Sequence, residues 1–579
     1  MRGGPFFVLL VTMFGRKKNR QMREPGLGWK GWCWRLLLSG AGGSAVFLAF
    51  PTFDIAWLAW IALVPTIWAA RGTSARQHFL IGLWAGTITN IGGFHWIGSM
   101  LMDFGHMSFP PAAFFTLLMG IYQGLVFALA LWLLHWLRRR SSLGYWLLAP
   151  VAYVAAEFLL PFIFPWYYAN SQYWVTPMIQ VCELGGVTLL SFLLVVTNGF
   201  LLDTLVCLFE KRSGWWKALV CALAVPLLVG GYGLLRIYMV DRQAQAAPHL
   251  KIGLVEADVG IWEKEDRRKI DDNLVRHQRM SIELEKAGAD LIVWPETSYL
   301  APFTYARRAG DESVKRYRPI PRDAANIAPS ASPPPEHAAE DRAAGTGGLD
   351  LTAPQRGFTT PLLFGALTAR RNPDNDSPRH QGLDLLNTAI LLDGKGNVLG
   401  AYDKVHLLIF GEHIPLGHLF PIFYKWLPEG GDLTAGKTVE VIPFGDFRIG
   451  IMICYEDILP AFTRDLAGKD PNIIINITND AWFGETAEPY LHMALAVFRS
   501  VESRLVLIRS TNTGVSCFVD PAGRILSETR PTGAETLMEN VPMMKGGTLY
   551  EALGDWPAYL CLVAIAFFWL RGRNKRKMR

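Results

Sequence analysis

No two of the seven cysteines stand as a CxxC pair, and none is grouped with histidines at zinc-ligand spacing. That argues against a disulfide framework and against a structural zinc centre. Charge is scarce as well: Asp, Glu, Lys and Arg make up 18% of the 579 residues, and the net charge is only +6. A balance that small does not imply nucleic acid as a partner. The order of a signal peptide is also missing. The apolar run 5–14 precedes its basic cluster, 16–20, instead of following it, and is too short to span a bilayer.

What the chain has in quantity is apolar length. Half of it (51%) is hydrophobic and 12% is aromatic. Apolar segments run over 34–51, 54–70, 79–102, 110–137, 143–165, 185–209, 216–240 and 556–571. This predicts a multi-pass α-helical membrane domain of about eight spans. Lys and Arg recur at 16–23, 71–76, 138–140, 211–217 and 571–577, whereas the alternate short loops carry Asp54, Asp103 or, over 162–180, no basic residue. The positive-inside rule then puts both termini in the cytoplasm and 242–550 outside, in the periplasm of a bacterium with two membranes. Glu157 and Glu183 sit in or beside spans. Functional and packing roles are both open for them.

From Leu250 the pattern changes. A strand at 250–255, a charged amphipathic helix at 266–288 and a strand within 289–297, with Glu296 just past its end, form a βαβ unit, so a layered α/β domain is expected. Residues 310–358, rich in Pro, Ala, Ser and Gly, read as a disordered insertion. Further strands are expected near 387–392, 449–453, 473–478, 506–514 and 516–520, with a helix over 489–503. The division is a basic tail, 1–33; a transmembrane domain, 34–241; a catalytic domain, 242–550; and a last helix with a basic tail, 551–579.

Three polar groups stand at strand ends or in adjoining loops: Glu296 in Trp-Pro-Glu-Thr, Lys404 in Tyr-Asp-Lys-Val-His, and Cys454 in Ile-Cys-Tyr-Glu. Taken singly, Cys454 reads as a core thiol, Glu296 as a loop carboxylate and Lys404 as a surface amine. In this order, with Phe410-Gly411-Glu412 and the apolar half, they resemble the nitrilase superfamily and, within it, the apolipoprotein N-acyltransferases. Asn479-Asp-Ala-Trp482-Phe483-Gly and Arg509-Ser-Thr-Asn512 fit the same resemblance.

The resemblance implies a four-layer αββα nitrilase-like sandwich and a Glu296, Lys404, Cys454 triad. A thiol of ordinary pKa is mostly protonated at neutral pH, so Glu296 would act as general base. Lys404 and a backbone N–H near Cys454 would stabilise the oxyanion, and the product would be a Cys454 thioester. Glu412, Tyr455 and Glu456 would support the site. Trp482 and Phe483 would either line the lipid entrance or pack in the core. The implied donor is a membrane phospholipid, typically phosphatidylethanolamine, and the implied acceptor is the amine of a lipoprotein's S-diacylglyceryl-cysteine. No cofactor or metal is implied. His406 and His413 suggest a thiol-protease pair, but the family uses no histidine.

Some positions depart from the family. Glu256 and Asp258 stand where Gln and Asn are common, and Thr513 replaces a common Asn. The runner-up activity is that of a membrane-tethered amidohydrolase.

Overall fold

The computed structural model describes residues 28–260, 263–264, 269–303, 354–373, 375, 382–409, 411–414 and 431–577. The segment 5–23 and most of the 310–358 insertion lie outside these residues. The last five residues of that insertion are described, and Phe358 is buried near Trp294, with ring centroids 6.5 Å apart.

The apolar half is helical. Helices α1 (Trp29–Phe47), α2 (Leu63–Ala70), α3 (Ala75–Gly93), α4 (Trp96–Asp103), α5 (Phe109–Arg138), α6 (Tyr145–Leu159), α7 (Cys182–Phe209) and α8 (Trp215–Ala246) precede the sheets. Among the described residues, α5, α7 and α8 are long and apolar enough to cross a membrane. The predicted span 79–102 is two helices, interrupted at Phe94-His95, and Trp166 packs so closely on Gly93 that a Cβ there would lie 2.1 Å from its ring. α3 and α5 approach closely through small residues: a Cβ on Gly82 would lie 2.4 Å from the Phe127 carbonyl oxygen, and one on Gly86 2.6 Å from that of Gly124. Glu157 accepts the Tyr168 N–H (2.7 Å).

The polar half folds around two sheets. The first has the order β13-β1-β2-β4-β5-β6, with β3 on β4. Its strands are β1 (His249–Glu256), β2 (Leu291–Val293), β3 (Tyr299–Phe303), β4 (Leu362–Arg371), β5 (Leu383–Leu392), β6 (Val398–Asp403) and β13 (Glu535–Pro542). The second has the order β12-β11-β10-β9-β8-β7. It comprises β7 (Val441–Phe444), β8 (Phe447–Ile453), β9 (Ile473–Thr478), β10 (Val506–Thr511), β11 (Cys517–Val519) and β12 (Ile525–Glu528). β1, β2 and β4 run parallel, as do β8, β9 and β10.

Alternation explains the layers. Ile252, Leu254, Leu291, Val293, Leu363 and Leu391 share one core with the isoleucines of β8 and β9. Their neighbours Val255, Ile292, Trp294, Leu362, Phe364 and Ile390 form a separate core with Leu274 and Leu284 of α9 (Ile270–Lys286). On the far side, α10 (Pro460–Ala467) covers β8. A Cβ on Gly450 would lie 3.2 Å from Leu466, and the Thr463 hydroxyl donates to Met452 Sδ (3.5 Å). α11 (Glu488–Ser503) lies beside it. The result is a nitrilase-like αββα sandwich. A final helix, α12 (Trp556–Lys577), follows.

Candidate active site

β8 is buried over Ile449–Ile453, between the first sheet on one face and α10 on the other, and it stops at Cys454. There the backbone turns into the left-handed region (φ +52°) and enters a 3-10 turn, Cys454–Ile458. For a residue with a Cβ this costs about 1–3 kcal/mol and needs neighbours that fix it. Asn476 of β9 is one: its Oδ1 accepts the Cys454 N–H (3.0 Å), and its Nδ2 donates to the Cys454 carbonyl (3.2 Å). Glu456 is another. Its Oε2 accepts the Ile453 N–H (2.8 Å), while Oε1 accepts the Tyr402 hydroxyl (2.7 Å) and the N–H groups of Val405 (2.8 Å) and His406 (3.0 Å). Glu456 therefore joins the cysteine turn to the Lys404 loop through backbone, without bonding the lysine itself.

Lys404 follows β6 and is almost wholly buried (1% exposed). Its Nζ lies 2.7 Å from Glu412 Oε2 and 3.4 Å from Glu296 Oε1. Asn387 bridges the two carboxylates, donating to Glu296 Oε1 (2.6 Å) and Glu412 Oε1 (2.9 Å). The Leu408 N–H fixes the other Glu412 oxygen (2.9 Å). Glu296 follows β2, and its backbone carbonyl accepts from Lys264 Nζ (3.1 Å) and Asn512 Nδ2.

The electrostatics follow from this burial. Burial pushes the Cys454 thiol well up, Glu296 adds to the rise, and Lys404 opposes it, so the resting group is a thiol. Burial raises Glu296, and Lys404 holds it back. For Lys404 burial favours the neutral amine, but Glu412 and Glu296 outweigh it and the ammonium persists.

Cys454 opens on a narrow, mostly apolar pocket. Phe94, Trp96 and Phe164 come from the helical half, and Leu408, Tyr455, Ile458, Phe483, Leu491 and Leu495 from the sandwich. Trp96 and Phe483 meet edge to face at 5.2 Å, and the Tyr455 hydroxyl donates to the Ile163 carbonyl (2.9 Å). Phe483 thus lines the cavity, whereas Trp482, 37% exposed, is not among its lining residues.

Glu488 and His492 are the two other polar side chains in the wall. With Asp480 their ligand atoms lie within 4.8 Å of one another. Those atoms are largely committed: His492 bonds Asp457 (2.8 Å) and Asp480 (3.0 Å), and Arg509 bonds the same two carboxylates (2.9 and 3.3 Å). This is a self-neutralising ion cluster, which fits a structural brace better than a cation site.

Sequence reasoning picked out Glu296, Lys404, Glu412 and Cys454, and the structure brings them together. It passed over Asn387, Asn476, Lys264 and the Asp457–His492 pair. A signal existed for Asn476, a lone amide inside Ile473-Ile-Ile-Asn-Ile. His406 bonds Glu456 only through its N–H, while its ring packs on Phe462 at 5.4 Å.

Compared with known protein families, residues 42–200 match the apolipoprotein N-acyltransferase N-terminal domain, and residues 266–547 match the carbon-nitrogen hydrolase domain. A Geobacter metallireducens protein named apolipoprotein N-acyltransferase is 29% identical over 542 residues, 92% of this chain and 94% of the relative. One of the same name from Azotobacter vinelandii is 29% identical over 561 residues, covering 95% and 96%. Among solved structures, an amidase from Nesterenkonia sp. aligns at 18% identity and a TM-score of 0.30, over 52% of this chain and 93% of its own. The two matched domains, in order along one chain, and near-full-length similarity to these relatives place it: the chain belongs to the apolipoprotein N-acyltransferase family of the nitrilase superfamily.

Proposed function

We propose that this protein moves a fatty acyl chain from a membrane phospholipid to the N-terminal amine of an S-diacylglyceryl-cysteine lipoprotein, through a thioester on Cys454. The observation that carries the reading is a buried thiol, beside Glu296 and Lys404, at the floor of an apolar cavity partly walled by the helical half.

In the first half-reaction Glu296 takes the thiol proton and the sulfur attacks the ester carbonyl. Negative charge builds on the carbonyl oxygen, where Lys404 and a backbone N–H of the Cys454 turn stabilise it. The intermediate collapses, the C–O bond breaks, and the leaving alcohol takes the proton back from Glu296. In the second half-reaction the acceptor amine attacks the thioester. Glu296 takes its proton and returns it to the sulfur as the C–S bond breaks. Glu412 keeps Lys404 charged and in place throughout. Tyr455 and Phe483 present apolar surface to the acyl chain.

Phosphatidylethanolamine is the donor assigned by resemblance. The catalytic region of the chain, 242–550 as read from the sequence, faces the periplasm, with about eight spans and both termini cytoplasmic. The alternation of basic loops supports this orientation, and a site at the bilayer surface would collect two lipid-held substrates by lateral diffusion.

Mass spectrometry of the purified protein incubated with phospholipid tests the reading. An acyl adduct on Cys454 that hydroxylamine removes is expected, as is its absence in Cys454→Ala. Free fatty acid released without acylated lipoprotein would replace the transferase with a hydrolase. Wild-type lipoprotein acylation by Cys454→Ala would end the thioester mechanism.

A further inference from the structure

A second lysine reaches the candidate base. Lys264 Nζ donates to the Glu296 carbonyl (3.1 Å) and stands 2.9 Å from the Thr297 hydroxyl. Thr297 itself has a left-handed backbone (φ +47°), a conformation a β-branched residue takes only when held. The turn is held from three sides. Lys264 and Asn512 bond the Glu296 carbonyl, and β4 presses against it at Gly365, where a Cβ would lie 2.7 Å from Glu296 Cα.

We propose that Lys264 is a positioning residue for Glu296: it fixes the 296–297 turn and supplies a second cation that favours the Glu296 carboxylate. The inference rests on Glu296 acting as the base, as proposed above. Among the described residues, the charged and titratable groups facing the Glu296 carboxyl are Lys404 and Lys264, which favour ionisation, Glu412, which opposes it, and the Cys454 thiol. Asn387 donates a neutral hydrogen bond to the same oxygen as Lys404. Lys404 is divided between two carboxylates, so one cation serves two anions there. Lys264 brings the local count to two and two. Burial lowers the Lys264 ammonium to about 7 while Glu296 pulls it up. Its charge is therefore present below neutrality, the range in which a buried carboxyl most needs help to ionise.

The sign follows. Removing a cation beside a carboxyl raises its pKa, so less of the base form exists at low pH. The acidic limb of acylation moves to higher pH, and the part of the deficit owed to charge fades above pH 8, where the native lysine is itself mostly neutral, leaving the pH-independent loss of its two bonds to the turn.

The test is the rate of Cys454 acyl-adduct formation in the full-length protein, in phospholipid micelles, from pH 5.5 to 9. Lys264→Met is expected to shift the acidic limb upward by about one pH unit, a loss of about ten-fold below the limb. Lys264→Arg restores the limb. Thr297→Val, which removes one hydrogen bond and no charge, slows acylation without moving it. A Lys264→Met profile lowered equally at every pH, or unchanged, overturns the inference. Glu296→Gln separates the two readings. If it still forms the adduct at the native rate, Glu296 is not the base. If it fails while Lys264→Met keeps the native limb, only the role of Lys264 falls.

Discussion

At the residue scale the site depends on side chains whose atoms are fully engaged. Glu456 is the clearest case, with four donors converging on its two oxygens. Burial pushes its carboxyl up to about 7 against the pull of those donors. Glu456→Gln keeps the shape but turns an NH2 toward at least one backbone N–H, which can only donate. We expect a loss of about 1–3 kcal/mol, read as a lower melting temperature, with slower acylation because the Cys454 turn and the Lys404 loop are no longer tied. An unchanged melting temperature would show that the tie contributes little.

The visibility of residues in the sequence follows the same division. Glu296, Lys404, Glu412 and Cys454 stand out because charge or thiol at a strand end is conspicuous beside apolar runs. Asn387 and Asn476 are harder to read, since an amide within a strand announces neither a charge nor a partner, and its partners come from other strands. Lys264 was not legible at all, because a lysine in a charged segment looks like any solvated one.

At the element scale the Asp457, Asp480, His492, Arg509 cluster braces the exits of β8 and β9 against α11 and β10. Burial and Arg509 both disfavour the His492 imidazolium, but Asp457 and Asp480 prevail and raise it to about 10. A histidine raised in the fold contributes stability that is complete below its unfolded value of about 6.5 and is lost as pH climbs through the folded value. The aspartates are lowered, so their share is lost as pH falls through the acid range. Melting temperatures between pH 6.5 and 9.5 should therefore fall more steeply for the native protein than for His492→Gln, once each curve is referred to its own value at pH 6.5. Parallel curves would mean that His492 is neutral in the fold.

The elements themselves were legible where periodicity was strong. The isoleucine-rich strands 449–453 and 473–478 and the helix at 489–503 lie within a few residues of Phe447–Ile453, Ile473–Thr478 and Glu488–Ser503. The break inside 79–102 was not, because residues 94 and 95 are apolar or aromatic like their neighbours and carry no Pro or turn signal. The tail of the 310–358 insertion misled through its composition: Phe358 packs on the sandwich despite its surroundings.

At the scale of the whole molecule the helical half and the sandwich are fastened by charge. Glu183, at the start of α7, bonds Arg236 of α8 (2.5 and 2.7 Å) and Arg504 beyond α11 (2.8 Å). Arg504 also donates to Gln180 Oε1 (2.7 Å) and the Pro521 carbonyl (2.8 Å), and Glu502 accepts the Val187 N–H (3.1 Å). Glu183, one of the two carboxylates beside spans, thus has a fastening role. Glu183→Gln leaves two guanidinium groups without their anion. A destabilisation of about 2–3 kcal/mol is expected, less than for a fully enclosed pair because Arg236 is partly exposed. A melting curve in detergent reads it, and no shift would mean that Gln180 and Pro521 suffice for Arg504.

The same seam has a chemical consequence. The proposed reaction requires that water be kept from the thioester for the amine to win, and the shield around Cys454 is assembled from rings at 94, 96 and 164 on one side of the seam and 455 and 483 on the other. A chain whose two halves rock apart would admit solvent at the sulfur before anything else failed. Its first symptom would be leakage of acyl groups as free acid, while uptake from the donor stayed normal.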